Sequence, residues 1–318
     1  MMKRFLVAAL LSSVVSGPVL AESVQSWITK MSNSSHQGNY QGTFVFWRDQ
    51  KIEAMHITHG SKNGRIWVGL ESLNGESRQL IHQNGEVTSI FPDKHLVSIN
   101  EMTSNLPFHP DLPKDIKQLN QHYELKMLGQ DRVASRETQI ILVNPKDALR
   151  YGFKYWLDKD TGLMLRCDVF NEKKKILEHM MFTDFEYLAS PPDTAFKQTS
   201  IPDNYKILKQ DETQKLHKAG NNWFAEQLPE GFVQTKNILK PMRKKQTAVQ
   251  QLVFSDGLAS VSVFIDHNAN TSHRLDGHTA MGSVNAFGLT FKDYQITAIG
   301  EAPSDTVKWI AESIRHRQ

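Results

Sequence analysis

The stretch Leu252-Val253-Phe254-Ser255-Asp256-Gly257-Leu258-Ala259-Ser260-Val261-Ser262-Val263 predicts a β-hairpin. Two runs rich in Val, Leu and Phe flank Ser255-Asp256-Gly257, and Asp-Gly tolerates the positive φ angles that tight turns require. Further strand-like runs surround the hairpin at Val233–Leu239, Ala248–Ser255, Ala259–His267, His278–Val284, Ala286–Phe291 and Tyr294–Ile299. Val307, Ile310, Ala311 and Ile314 then repeat at i, i+3, i+4 and i+7, which is the spacing of one helical face. Residues 223–318 are therefore predicted to form a small α+β domain.

The preceding part of the chain predicts a larger, mainly antiparallel β domain over residues 22–190. Helical spacing in Ser23–Ser32 gives way to short strand-like runs with a period of two. Asn74-Gly75 and Asn84-Gly85 are strong hairpin turns between such runs. About ten strands are predicted, and a sheet of that size must close into a barrel or curve and cover its concave face. Residues 191–222, with Ser190-Pro191-Pro192 before a polar run, are predicted to be a linker.

Several blocks of the sequence resemble one family. Leu228–Val263 and Gly300–Ile314 are similar to the carboxyl-terminal domain of the MucB/RseB proteins, which are periplasmic regulators of the envelope-stress sigma factor, and Tyr40–Val45 and Met55–His59 follow the family more loosely. The resemblance implies a LolA-like half-open β-barrel with helices in the first domain. It also implies that the second domain binds the periplasmic region of an RseA/MucA-like anti-sigma factor and protects it from regulated proteolysis, until lipopolysaccharide or another acylated envelope lipid causes release.

The amino terminus independently predicts export to the periplasm. Lys3 and Arg4 precede the apolar run Phe5–Val15, and small residues precede a signal-peptide cut between Ala21 and Glu22. A membrane anchor would need about 20 unbroken apolar residues, whereas serines interrupt this run. Removal of residues 1–21 leaves 35 basic against 34 acidic side chains, so we expect no nucleic-acid partner.

No pattern of catalytic or cofactor-binding residues emerges from the sequence. The glycine-rich phosphate and dinucleotide motifs, G-x-S-x-G, S-x-x-K and H-E-x-x-H are all absent. Cys167 is the only cysteine, so it forms no internal disulfide and is predicted to be a small buried apolar residue. We therefore predict a binding protein with no cofactor and no metal, rather than an enzyme.

Two groups of residues are candidates for binding. Large apolar side chains on the strands of the first domain could line a lipid cavity, although core packing is the alternative for each: Phe44, Phe46, Trp47, Trp67, Phe91, Tyr155, Trp156, Met164 and Phe170. Arg243, Lys244 and Lys245 form a basic loop that could bind an acidic partner or lipid headgroups, or could simply be a solvated hairpin tip. A lipid or lipoprotein carrier of the LolA type is the alternative function, and a homodimer remains open.

Overall fold

The first domain is built on one open sheet of twelve strands. The computed structural model describes residues 23–101, 116–197, 201–209, 217–220, 222–241, 248–267 and 274–317. The strands of this sheet are β1 (Tyr40–Arg48), β2 (Lys51–Lys62), β3 (Arg65–Ser72), β4 (Gln79–Gln83), β5 (Glu86–Phe91), β6 (Leu96–Glu101), β7 (Tyr123–Val133), β8 (Arg136–Pro145), β9 (Gly152–Asp158), β10 (Met164–Phe170), β11 (Ile176–Tyr187) and β12 (Lys206–Lys209).

The sheet does not close into a barrel. The strand order is β12-β6-β5-β4-β3-β2-β1-β11-β10-β9-β8-β7, so β12 and β7 form its two edges. All neighbouring strands are antiparallel except β12, which lies parallel to β6. The predicted half-open, mainly antiparallel architecture is confirmed.

Local turn chemistry explains why consecutive strands pair. Asn84 and Gly85 between β4 and β5 have φ angles of 54° and 78°. Two successive positive φ angles are the geometry that matches the twist of a two-residue hairpin, and Asn-Gly is the preferred pair for it. The predicted turn at this position is confirmed.

Helix α1 (Val24–Gln37) lies against the core of the first sheet. Ser23 caps it, because its hydroxyl accepts a hydrogen bond from the backbone N–H of Ser26 at 3.1 Å. Trp27, Ile28 and Met31 are buried on one face and join the hydrophobic cluster of the sheet. A short helix, α2 (Ile116–His122), leads directly into β7. In the described part of the chain, no helix has both the length and the apolar character needed to span a bilayer.

The second domain packs one helix on a seven-stranded sheet. Its elements are β13 (His217–Lys218), β14 (Trp223–Ala225), β15 (Val233–Pro241), β16 (Ala248–Ser255), β17 (Ser260–His267), β18 (Gly277–Met281), β19 (Val284–Phe291), β20 (Tyr294–Gly300), α3 (Ser304–Glu312) and β21 (Ile314–His316). The sheet order is β13-β15-β16-β17-β20-β19-β18, and β14 pairs separately with β21. The predicted hairpin supplies the two central strands β16 and β17. Val307 and Ile310 of α3 are fully buried against this sheet.

The segment predicted to be a linker takes part in both sheets. Lys206–Lys209 is the edge strand β12 of the first sheet, and His217–Lys218 is the edge strand β13 of the second. Residues 191–195 lie against Gly60 of β2, and the Arg65 guanidinium lies 5.6 Å from the centre of the Phe196 ring. The described residues of this segment therefore pack on the domains instead of forming a free tether.

Candidate functional site: the domain junction and the first-domain cavity

The tip of the β16–β17 hairpin contacts the first domain. One carboxylate oxygen of Asp256, Oδ1, accepts hydrogen bonds from the backbone N–H groups of Leu258 at 3.0 Å and Ala259 at 2.7 Å. The Ser255 hydroxyl donates to the carbonyl of Ala259 at 2.8 Å, and Gly257 has a φ of 103°. These bonds fix the turn and leave the second Asp256 oxygen pointing at the first domain.

A fully buried arginine donates a hydrogen bond to that oxygen. The Nε of Arg150, in the loop between β8 and β9, donates to Asp256 Oδ2 at 2.7 Å, and both side chains are 0% exposed. Arg150 also donates to Asp147 Oδ2 and to the carbonyl oxygen of Glu230, each at 2.5 Å. A buried charge is stable only when it is paired and hydrogen-bonded, and two of these three partners, Asp256 and Glu230, belong to the second domain.

Aromatic rings complete the surroundings of Arg150. Its guanidinium lies 5.8 Å from the ring centre of Tyr123 in the first domain and 5.5 Å from that of Phe232 in the second. The Tyr123 hydroxyl donates to Asp256 Oδ2 at 3.0 Å. Burial, and next the Asp256 carboxylate, raise the pKa of Tyr123 far above its usual value, so the hydroxyl keeps its proton and stays a donor.

A second polar contact joins the domains about the β18–β19 turn. Glu178 of β11 accepts hydrogen bonds from the backbone N–H of Ser283 at 3.0 Å and from its hydroxyl at 2.9 Å. The same carboxylate lies 3.0 Å from the Nε of Arg48. Asn285 donates to the Tyr151 hydroxyl at 2.8 Å, so this contact also uses buried, fully directed hydrogen bonds.

Apolar packing crosses the junction as well. Leu258, at the hairpin tip, is partly buried and packs against the hydrophobic cluster of the first sheet. At the other side of the junction, the Thr306 hydroxyl in the first turn of α3 donates to the carbonyl oxygen of Leu149 at 2.7 Å. The hairpin that decides the fold of the second domain is thus also one of its attachments to the first.

The first domain contains a small apolar cavity between α1 and the sheet. Its volume is about 20 Å³, and it is lined by Met31, Ser35, Tyr40, Phe44, Ile57, Leu163, Met164, Met180 and Phe182. A cavity of this size holds about one water molecule. An acyl chain would therefore enter only if the surrounding side chains moved apart.

Register and alternation place the nine lipid candidates on two different faces of the sheet. Phe46 is level with Met180, Met180 with Cys167, and Cys167 with Tyr155, so these side chains share the cavity face. The candidates on the cavity face are Phe44, Phe46, Phe91, Tyr155 and Met164, of which Phe44 and Met164 line the cavity. The candidates on the opposite face are Trp47, Trp67, Trp156 and Phe170.

The two tryptophans Trp67 and Trp156 on the opposite face pack against different parts of the first domain. Trp67 is level with Gly60, beside the segment 191–195, and is 7% exposed. The Nε1 of Trp156 donates to Asp131 Oδ2 at 3.0 Å, and the Arg166 guanidinium lies 3.9 Å from the centre of its ring. Trp67 and Trp156 therefore pack against other parts of the first domain and do not contact the cavity.

The remaining predictions concern the basic loop, the cleavage site, the single thiol and metal binding. Arg243, Lys244 and Lys245, and the cleavage residues Ala21 and Glu22, lie outside the described residues. Cys167 is partly buried against the first cluster, and burial raises the pKa of its thiol. Among the described residues, no three His, Cys, Asp or Glu side chains are grouped closely enough to hold a metal ion.

Sequence reasoning did not identify the residues of the junction. Arg150 follows Asp147 in a polar loop without periodicity, and nothing in that loop marks the arginine as buried. The sequence predicts Asp256 as a turn former, which it is, but its second oxygen contacts the other domain. The available signal was Leu258, because an apolar residue directly after a tight Asp-Gly turn would be exposed unless something covered it.

Comparisons with known proteins agree over both domains. Residues 23–200 match the model of the MucB/RseB N-terminal domain, and residues 217–315 match that of the MucB/RseB C-terminal domain. The sigma factor AlgU regulatory protein MucB of Pseudomonas aeruginosa is 28% identical over 314 residues, which are 96% of this chain and 95% of that protein. The sigma-E factor regulatory protein RseB of Salmonella typhimurium is 26% identical over 296 residues, or 91% of this chain and 90% of that protein.

Solved structures give the same result. The complex of Pseudomonas aeruginosa MucA and MucB matches with a TM-score of 0.71 and 27% identity, covering 93% of this chain and 99% of that one. A crystal structure of MucB in complex with MucA(peri) matches with a TM-score of 0.70 and 26% identity, covering 93% of this chain and 100% of that one. The similarity thus extends over the arrangement of both domains.

Proposed function

Because the chain belongs to the MucB/RseB family, we propose that it binds the periplasmic region of a MucA/RseA-like anti-sigma factor and protects it from regulated proteolysis. The sigma factor of the envelope stress response then stays inactive. The observation that carries the proposal is the match of both domains, over nearly the full chain, to a MucB solved with MucA. The predicted signal peptide supports export to the periplasm, where such a segment is accessible.

The proposed role is regulatory binding without catalysis or a bound cofactor. The polar side chains of the junction are engaged in holding the two domains together, as the ion pair of Arg150 with Asp256 shows. Burial holds the proton on the Cys167 thiol, and a thiol in that state is a poor nucleophile. These features support a protein that acts by binding a partner.

The second domain offers positive charge for an acidic partner segment. Lys236 and Lys240 lie on β15, on the approach to the basic loop with Arg243, Lys244 and Lys245. Partial burial and the neighbouring Lys236 lower the pKa of Lys240, as expected where positive charges are close together. A carboxylate of the partner would relieve this repulsion and form charge-assisted hydrogen bonds.

The test is a calorimetric titration of the mature chain with the periplasmic segment of the anti-sigma factor from the same genome, together with a protease-protection assay. We expect a dissociation constant in the micromolar range or below, about −8 kcal/mol. Changing Arg243, Lys244 and Lys245 to Glu should weaken binding and flatten its dependence on salt. The matched control changes Lys173, Lys174 and Lys175 to Glu, which alters the net charge equally on a turn of the first domain. Absence of both heat and protection with the unmodified chain would refute the function.

We also propose that an acylated envelope lipid occupies the first domain and loosens the grip on the partner. The support is the apolar cavity beside α1, lined by Phe44 and Met164, which must enlarge to admit an acyl chain. Each methylene buried there contributes about 0.8 kcal/mol. A partly inserted acyl chain can therefore offset the free-energy cost of moving the lining side chains apart. Filling the cavity with Phe44→Trp should weaken binding of lauric acid at least about tenfold with the partner still bound. Trp67→Phe, on the opposite face, is the control and should leave lauric acid binding unchanged.

A further inference from the structure

The hairpin tip packs against the same hydrophobic cluster that lines the cavity of the first domain. Leu258 packs against the hydrophobic cluster of the first sheet, and that cluster contains all the apolar side chains that line the cavity. The cavity itself is about 20 Å³, so the cluster is otherwise close-packed. Side chains in such a cluster cannot move apart without displacing their neighbours.

The strands behind the tip lie at the centre of the second sheet. β16 and β17 are flanked by β15 on one side and β20 on the other, and Leu252, Phe254, Val261 and Val263 are buried in the second core. The turn between these strands is held by the Asp256 and Ser255 hydrogen bonds, so it moves as a unit. A displacement of the tip is therefore transmitted to the middle of the second domain.

We propose that Leu258 is the positioning residue that couples occupancy of the first-domain cavity to the partner affinity of the second domain. This inference rests on the proposed function. An acyl chain that enters the cavity spreads the cluster, and Leu258 moves with it. The pair of Arg150 with Asp256 defines the docked position of the tip, and packed interfaces of this kind switch between discrete arrangements. If the coupling passes through Leu258, removing its contact with the first cluster should abolish the coupling.

The first measurement needs no partner. Hydrogen exchange of the backbone over residues 252–263 is followed in the mature chain, with and without lauric acid below its micelle concentration as the acyl probe. We expect lauric acid to speed exchange in the hairpin of the unmodified protein. Leu258→Ala should remove that response while lauric acid still binds. An unchanged response in Leu258→Ala, or none in the unmodified protein with lauric acid bound, overturns the coupling.

The second measurement uses the partner segment. In the unmodified protein lauric acid should weaken partner binding at least about fivefold, the lower end of ordinary allosteric coupling. In Leu258→Ala the two affinities should agree within about twofold, whereas Leu258→Met, which keeps the side-chain volume, should retain the coupling. Leu289→Ala is the matched control, since Leu289 is also a partly buried leucine of the second domain but packs on its own core. Full coupling in Leu258→Ala overturns the inference. Absence of partner binding by the unmodified protein without lipid refutes the proposed function instead.

Discussion

The two domains stabilise their sheets by different means. The first sheet buries the carboxylates of Asp158, Asp168 and Glu178 within its strands, each beside an arginine, and retains a cavity. The described strands of the second sheet contain a single acidic residue, Asp266, and its central residues are fully buried apolar side chains under α3. The first domain is therefore the one that pH and an apolar ligand should change. The second domain, whose described strands contain fewer acidic residues, is the one to which we propose that the change is transmitted.

The largest expected effect on the junction comes from breaking the buried ion pair between the two domains. Asp256→Asn removes the fully buried counter-ion of Arg150 and leaves only the partly exposed Asp147 beside it. Removal of one partner of a buried pair costs about 3–5 kcal/mol, and we expect the loss here to lie near the lower end of that range. We expect the urea midpoint of the least stable transition to fall, together with faster hydrogen exchange in residues 147–151. The hairpin itself should stay folded, because asparagine keeps an oxygen for the turn.

A double variant tests whether the lost stability comes from the unpaired buried charge or from disturbed packing. In Arg150→Met with Asp256→Asn, neither charge remains at the junction, and most of the lost stability should return. If the double variant is as unstable as the sum of the two single variants, the ion pair does not determine the docking of the domains.

A matched pair of leucine substitutions compares the two cores. Leu252 is 0% exposed in the second core, whereas Leu163 borders the cavity of the first. Leu252→Ala should cost about 4–5 kcal/mol and Leu163→Ala nearer 2–3 kcal/mol, since a side chain beside a void makes fewer contacts to lose. Urea unfolding followed by domain-resolved hydrogen exchange measures both. Equal losses would mean that the two cores are equally well packed.

The sequence predicts this contrast only in part. An Asn-Gly or Asp-Gly dipeptide predicts a hairpin from the local sequence alone. The structure has turns at two such dipeptides, Asn84-Gly85 and Asp256-Gly257. The strand-like runs of the first domain that the sequence predicts end at Phe91 and resume at Tyr123, so they do not include β6. This strand follows a 3-10 turn at Pro92–Lys94 and a left-handed His95, without the Gly that marks a hairpin. Pro92-Asp93 is a local turn signal, but it does not indicate that a strand follows directly.

The candidate site was predictable to a smaller extent than the fold. Alternation assigned Phe44 and Phe46 to one face, but apolar side chains occur on both faces of β1, so the cavity face could not be chosen. On the opposite face, Trp67 lies beside the segment 191–195, and Trp156 contacts Asp131 and the Arg166 guanidinium. Those partners are distant in the sequence.

Acid should destabilise the first domain before the second. Burial alone would raise the pKa of Asp168, but hydrogen bonds from His179 at 2.5 Å and from Arg166, with the arginine charge, bring its net pKa below the usual range. The pKa of Asp158, beside Arg136, is lowered in the same way. Folded carboxylates with a lowered pKa stabilise the protein above their unfolded pKa, and this contribution is lost as the pH falls below about 4.

Domain-resolved hydrogen exchange between pH 7 and pH 3, corrected for the intrinsic rates, tests this order. Protection should fall first in β9, β10 and β11. In Asp168→Asn the acid-dependent part of the loss should shrink, because the group that is protonated has been removed. An earlier loss of protection in β16 and β17 would reverse the comparison of the two domains.

The smallest effect concerns the single thiol, which reports on the first core without changing its stability. Cys167 is partly buried against that core, and burial, followed by the nearby Asp168 and Glu178 carboxylates, raises the pKa of its thiol. Because the thiolate is the reactive form, alkylation by iodoacetamide at pH 8 should be at least about tenfold slower than for an exposed cysteine. The control is Thr290→Cys in a Cys167→Ser background, which places an exposed thiol on the second domain. If lauric acid opens the first core, it should speed alkylation of Cys167 and leave the control rate unchanged. Equal rates for the two thiols without lipid would contradict the burial of Cys167.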